Sequence, residues 1–309
     1  MFGHRPDGRR LKQPDPILAL TPYLMPQRVD AQVHTVLRVN CDTLTKYIRE
    51  QREKGFDLSY MDLIAAAYVR AVSQHPSLNR FIMNKQVYAR NTISISLTMI
   101  REQDEEVMET AIKPLFSPYD TVYDVHKKFR KEIDENREPE AANSTDKLAR
   151  FLMAVPGLPT AVVGLIRLLD RYGLIPRIIV KLSPFHTGLF IANMASIGMP
   201  HINHHIYNFG TTSLFIGMGS VERNIVLKKD GTAGYERTIP LGVVSDERIT
   251  SGADYGRAMT TFRAYMNNPT LLETPPETVK FDIPSEKMPH PRGWRQRRRE
   301  RRGPVEVEA

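Results

Sequence analysis

Hydrophobic positions recur at helical spacing in the first third of the chain and alternate with polar ones through most of the rest. Leu44, Tyr47, Ile48 and Gln51 lie at i, i+3, i+4 and i+7, so the spacing predicts an amphipathic helix from a cap at Asp42 to about Lys54, stopped by Gly55. Ser59-Tyr60-Met61-Asp62 reads as a capping box before a second helix, Leu63 to Ser73, closed by Pro76. Alternation then predicts strands over Val87–Arg90, Thr92–Thr98 and Val107–Lys113. Asp120 is the expected cap of a charged helix reaching about Asn136, and the polar stretch Glu138 to Ser144 follows as a linker. Further strands are expected at Gly188–Met194, Ser213–Gly219, Asn224–Lys229 and Tyr235–Val244, the last two joined at Asp230-Gly231, before a final helix from Ala253 to Met266. Helices mixed with hairpins and other strands imply an α/β (α+β) sandwich.

One segment breaks this rhythm. Between Phe151 and Leu182 a dense set of aliphatic residues is interleaved with Arg167, Arg171, Arg177 and Lys181, and Pro156, Pro159, Gly164, Gly173 and Pro176 divide it. The expectation is an insertion of short amphipathic helices (151–182). They could be extra core with solvated basic faces, or could cover a channel, a neighbouring subunit or a membrane surface. The head, residues 1–20, carries Arg5, Arg9, Arg10 and Lys12 among prolines without periodicity and reads as an extended arm. The main domain is expected at 21–275 and a disordered, Arg-rich tail at 276–309.

Charge sharpens that division. The 309 residues carry a net +8, of which residues 291–302 supply +6 through Arg292, Arg295, Arg297, Arg298, Arg299, Arg301 and Arg302 against Glu300. Glu306 and Glu308 return two negative charges, so the body is only mildly basic. The tail, with Trp294 beside its arginines, is the part suited to an anionic surface, RNA or lipid. A single cysteine, Cys41, rules out an internal disulfide and a multi-Cys zinc site, and reads as a small packing residue. No uninterrupted apolar run reaches the roughly 20 residues of a membrane span. A cytoplasmic protein, peripheral to a membrane at most, is expected.

Five short stretches resemble, in order, the catalytic domain of the dihydrolipoyl acyltransferases, the core subunits of the 2-oxo acid dehydrogenase complexes and relatives of chloramphenicol acetyltransferase. His75-Pro76-Ser77-Leu78-Asn79 is similar to a Pro-x-Leu-Asn element, with Asn91–Thr98 in the place of the strand that follows it. Gly188 to Gly198, containing Phe190-Ile191-Ala192-Asn193-Met194-Ala195-Ser196-Ile197-Gly198, resembles the Thr-Ile-Ser-Asn-Leu-Gly element, and Leu214 to Gly219 resembles Ala-Ile-Leu-Gly-Val-Gly. Val244 to Ala253 resembles the Asp-His-Arg-x-x-Asp-Gly-Ala box, and Asn268-Pro269-Thr270-Leu271-Leu272 completes the series. The resemblance implies a two-layer, chloramphenicol acetyltransferase-like sandwich with a mixed sheet. It also implies a homotrimer with active sites between subunits, and an acyl thioester, acyl-CoA above all, as the small-molecule substrate. It does not extend to a lipoyl domain, so no covalent lipoyl group is expected.

The chemistry departs from that family at three positions. There a histidine of the box takes the thiol proton, a hydroxyl of the Thr-Ile-Ser-Asn element supports the oxyanion, and the second acid of the box holds the loop. Here these positions read Glu247, Ala192 and Ser251. Asp246, Arg248 and Asn193 are retained, and an Asp246 or Ser251 contact with Arg248 is expected to fix the turn. A thiol near pKa 8.5 losing its proton to a carboxylate near 4.3 is uphill by about 6 kcal/mol, though burial can bring a Glu close to about 8 or 9. A missing oxyanion donor costs about 3–4 kcal/mol unless a backbone N–H or Ser196 substitutes. The residues taken forward are Glu247 as candidate base, Asn193 and Ser196 near the acyl group, Arg248, Asp246 and Ser251 in the loop, and His186 as an alternative base. His201, His204 and His205 have no Cys, Asp or Glu close in sequence to complete a ligand set, so no metal is expected there. A catalytically inactive trimeric scaffold is the alternative function.

Overall fold

Two short apolar strands at the centre of the chain set the architecture: Leu189–Asn193 (β8) runs parallel to Leu214–Met218 (β9), pairing Leu189 with Leu214 and Asn193 with Met218. The computed structural model describes residues 5–12, 15–103, 106–136, 153–154, 156–227 and 230–282. The linker at 138–144 and the Arg-rich stretch at 291–302 lie outside these residues. In chain order the earlier elements are β1 (Gly8–Arg10), α1 (Pro16–Leu24), β2 (Gln32–Asn40), α2 (Cys41–Glu53), α3 (Tyr60–Gln74), β3 (Arg80–Met83), β4 (Gln86–Arg90), β5 (Ile93–Gln103), β6 (Glu106–Ile112), β7 (Leu115–Phe116) and α4 (Val122–Glu135). Two helices, α5 (Leu158–Arg171) and α6 (Arg177–Leu182), precede β8. After β9 come β10 (Glu222–Leu227), β11 (Ala233–Asp246) and α7 (Gly252–Asn267).

The main sheet has eight strands in the order β10-β11-β9-β8-β5-β6, with β2 added on β11 and β7 on β5. It is mixed: the β5–β8 and β8–β9 pairs are parallel, and the remaining pairs are antiparallel. A second, three-stranded sheet runs β1-β4-β3. Alternation decides the layers. Leu189 and Ile191, Leu214 and Ile216, and Leu241 and Val243 join the core built with α2, α3, α4 and α7, whereas Phe190, Phe215 and Val244 face the other way and pack with Ile206. The result is the expected two-layer α/β arrangement.

The helix-free face is covered by the chain after β8. Its approach is close enough to dictate glycine: a Cβ on Gly242 would lie 2.1 Å from the Ile202 carbonyl oxygen, and one on Gly217 2.7 Å from the same atom. Gly217 belongs to the Ile-Gly-Met-Gly stretch singled out in the sequence, and the crossing segment gives that motif a steric reason.

Most expected elements lie within a few residues of their predicted bounds, but the pattern does not anticipate β2, β3 or β7, β5 runs five residues further than expected, and three further differences concern caps and the head. Asn40, rather than Asp42, caps α2 by accepting from the Thr43 N–H at 2.8 Å, so the helix starts two residues earlier than its acidic residue suggests. Thr121, rather than Asp120, caps α4 in a capping box with Asp124. The head is built into the fold where an extended, aperiodic arm was expected. Gly8–Arg10 pairs with β4, and Asp15 accepts from the Ile17 and Leu18 N–H groups with Pro16 in the first turn. Pro22 lacks the N–H that would meet the Leu18 carbonyl, and the Thr21 hydroxyl donates to that carbonyl instead at 2.9 Å. The 151–182 segment does contain short helices, and Ser59 with Asp62 forms the expected capping box.

Replacing Gly242 by Ala must push the 199–206 segment off the sheet. A loss of about 2 kcal/mol or more in urea unfolding is expected; unchanged stability would contradict the close crossing at Ile202.

Candidate functional site

The box begins at the last residue of β11. Asp246 is fully buried, and its carboxylate accepts from Arg248 twice, Nε to Oδ1 at 2.8 Å and Nη2 to Oδ2 at 2.7 Å, with the Arg248 backbone N–H adding a third bond at 3.2 Å. This bidentate pair closes the single 3-10 turn Glu247–Ile249. A second buried guanidinium, Arg28, stands 3.5 Å from Asp246 Oδ2 and donates to the Tyr207 and Gly210 carbonyls. Burial, with Arg248 as a like charge, lowers Arg28 from its ordinary value, and Asp246 opposes both. Arg248 Nη1 also reaches the Met25 carbonyl at 2.7 Å, so one carboxylate joins β11, the box and the chain after α1.

Glu247 projects out of this turn. It is exposed, and among the described residues it has no hydrogen bond or ion pair. The described residues of its own chain therefore do not supply the desolvation that a carboxylate base requires. Ser251 caps α7: its Oγ accepts from the Asp254 N–H at 3.1 Å and donates to Asp254 Oδ2 at 3.0 Å. Of the two contacts considered for Arg248, the one from Asp246 is present and Ser251 is engaged with Asp254.

The other candidate residues lie elsewhere. Asn193 ends β8 and accepts from the Ser196 N–H at 3.2 Å, while the Ser196 hydroxyl donates to the Asn193 carbonyl at 2.7 Å. Both side chains are engaged in one local turn, and Ala192 places only a methyl group beside the Phe190 cluster. The register shows how far this turn is from the box. Asn193 pairs across to Met218 and Ser245 pairs across to Leu214, four residues apart along β9. At about 3.3 Å per residue that is about 13 Å, and Glu247 lies beyond Ser245. Within one chain, Glu247 and the Asn193–Ser196 turn occupy opposite ends of the strand.

His186 sits at the box end of the sheet but is enclosed. Its ring has no exposed surface; Nε2 donates to Asp170 Oδ2 at 3.2 Å and Nδ1 lies 2.8 Å from Ser183 Oγ. Asp170 is also paired with Arg5, which bonds Asp7 in turn at 3.0 Å. Burial alone would raise the Asp170 carboxyl, but the His186 hydrogen bond and the Arg5 charge outweigh it and hold it below the usual carboxylate range. Lys113 lies under the same turn, donating to the Ser183 carbonyl at 2.7 Å and to that of Val180, and burial pushes its ammonium down to about 8. With both ring nitrogens engaged inside the chain, His186 locks α5 to the N-terminal segment and presents no nitrogen to a substrate. Arg5, Arg28, Ser183 and Asp170 were not singled out from sequence. Asp170 had one signal, as the sole acid between Pro156 and Leu182.

The histidines at 201–205 lie on the helix-free face. His204 stacks on Phe215 at 4.4 Å and on His205 at 4.6 Å, and His201 is 3.6 Å from Glu222. Among the described residues no group of three or more His, Cys, Asp or Glu side chains is placed to hold a metal ion.

No family model and no curated relative matches the sequence. Solved structures do. Chloramphenicol acetyltransferase aligns over 84% of this chain and 99% of its own, at 9% identity and a TM-score of 0.51. The Azotobacter vinelandii dihydrolipoamide acetyltransferase aligns over 83% of this chain and 88% of its own, at 12% identity and 0.49. A truncated catalytic core of the 2-oxoacid dehydrogenase multienzyme complex from Thermoplasma acidophilum covers 84% and 99%, at 13% and 0.45. The chain has the chloramphenicol acetyltransferase-like fold.

Because the Asp170 carboxyl titrates lower folded than unfolded, its stabilisation is complete above the unfolded value near 3.9 and is lost as pH falls through the folded one. As pH falls below about 4, Asp170→Asn should flatten the fall of unfolding free energy by up to about 1.4 kcal/mol per pH unit. Parallel curves for the two proteins would contradict this. Arg248→Ala leaves Asp246 buried with only the more distant Arg28, and a loss of about 3–5 kcal/mol is expected in denaturant unfolding.

Proposed function

We propose that this protein binds an acyl thioester, with acyl-CoA the first candidate, at a composite site assembled from two copies of the chain, and that it transfers the acyl group with Glu247 as the base. The observation that carries this reading is the separation of Glu247 from the Asn193–Ser196 turn on an acyltransferase fold. A second copy can bring the two ends together and cover Glu247, which supplies the desolvation that the described residues of its own chain do not. The surface near the Asn193 end suits such a contact. Beyond β9, strands β10 and β11 continue as a two-stranded ribbon that exposes Ile225, Leu227 and Tyr235 on one face. A closed homo-oligomer, a trimer by resemblance, is the proposed working form.

In this scheme Arg248 and Asp246 position the turn, Ser251 starts α7 behind it, and Asn193 with Ser196 orients the acyl end from the neighbouring copy. An oxyanion donor would have to be a backbone N–H or the Ser196 hydroxyl after it leaves the Asn193 carbonyl, since Ala192 has none to give. That same engagement of Ser196, with Glu247 left in solvent, favours a second reading in which the assembly is a non-catalytic scaffold.

A panel of acyl-CoAs incubated with thiol and amine acceptors separates the two. Turnover that falls by about a hundredfold or more in Glu247→Gln and returns in Glu247→His supports the base. Unchanged turnover in Glu247→Gln removes Glu247 from that role, and an absence of both CoA binding and turnover selects the scaffold.

A further inference from the structure

Three helices leave apolar stripes in solvent, and two of them, α1 and α5, are tied to one turn. On α1, Ile17, Leu20 and Leu24 recur at i, i+3 and i+7 and are 75%, 53% and 69% exposed. On α5 the stripe is Leu165, Leu168 and Tyr172, at the same spacing, while Val162, Ile166 and Leu169 turn inward. Helix α6 adds Ile178 and Leu182, the latter 72% exposed. The turn between β3 and β4 holds α1 and α5 together. Arg171 Nε donates to Asn84 Oδ1 at 3.1 Å, while the next residue, Lys85, places its ammonium 5.2 Å from the Tyr23 ring centre.

On α5 and α6 the exposed charge has one sign, whereas α1 carries no cation and is capped by the exposed Asp15. Arg167 and Arg171 run beside the α5 stripe, Arg177 and Lys181 run beside that of α6, and all four are exposed. Asp170, the sole acid from Pro156 to Leu182, is buried against Arg5 and His186 and offsets nothing outside. Aliphatic stripes flanked by cations, with no exposed anion on α5 or α6, match the interface of an anionic bilayer, where acyl chains take the stripe and phosphates take the cations. A soluble polyanion offers nothing to the stripe, and a second copy placed face to face would set cation against cation.

We propose that α1, α5 and α6 form a docking face for an anionic lipid bilayer, separate from the composite acyl site and independent of the Arg-rich tail. The test is flotation of the full chain with vesicles of phosphatidylcholine alone and of phosphatidylcholine mixed with phosphatidylglycerol, at low and high salt. The wild type should float with the mixed vesicles and release with salt. The double substitution Arg167→Glu, Arg177→Glu should weaken that partitioning by at least about tenfold, and Leu168→Glu with Ile178→Glu should abolish it. Arg297→Gln, Arg298→Gln and Arg299→Gln together should leave it in place. The altered side chains on α5 and α6 are at the surface, and thermal melts verify that each variant folds.

Failure of the wild type to bind either vesicle overturns the proposal. So does binding that survives both helix variants and disappears with the tail substitutions. Absence of vesicle binding together with an oligomer that dissociates in the Leu168→Glu, Ile178→Glu variant would assign the face to a second copy instead.

Discussion

One buried carboxylate, Asp246, is the constraint on which this structure turns. It ends the strand that pairs with both β2 and β9, and it is shared by Arg248 from its own turn and by Arg28 from the chain entering β2. An ion group this deep carries a desolvation cost of several kcal/mol per charge, offset here by the bidentate Arg248 pair and by guanidinium bonds to backbone carbonyls, although Arg28 Nε makes no hydrogen bond. The carbonyls are those of Met25, Tyr207 and Gly210, which are far apart in sequence. The turn that presents Glu247 is thereby set by the whole end of the sheet and little by its own few residues.

The residues at this end of the sheet differ in how firmly packing holds them. The pieces that shape the turn, Asp246, Arg248 and the small cap at Ser251, are tied to packing and charge neutralisation. Glu247 and Ala192 are tied to neither: one side chain points to solvent, and the other adds a methyl group to a small apolar cluster. Substituting either one would leave folding almost untouched.

The sequence made the frame legible wherever a local pattern had a single physical solution. The capping box at Ser59 and Asp62, the alternation through β8, β9 and β11, and the Gly-Met-Gly stretch all reappear as elements of the right kind. What it could not give were pairings that depend on tertiary approach. Asn40 was passed over because Asp42 is the more obvious acceptor, although either residue is a competent cap. Arg28 lies in a stretch without periodicity and acquires its meaning only when β11 arrives beside it. The distance between Glu247 and Asn193 is a property of strand register, and no motif spacing encodes it. His186 drew notice as a loop histidine near a strand, whereas its partner Asp170 is sixteen residues away on α5.

The inward turn of Asp170 has a consequence for how copies of this chain can be arranged. By placing its only acid beneath the surface, the α5–α6 segment leaves a face whose field is uniformly positive. In a closed ring every symmetry mate carries the same face, and mutual repulsion disfavours any geometry that turns these faces toward the axis or toward one another. The arrangements that remain turn them outward or to a common rim, and on a rim their fields add. If copies of this chain closed into a cyclic ring with these faces on one rim, that ring would carry its positive field on one side, although it is built from a single kind of chain.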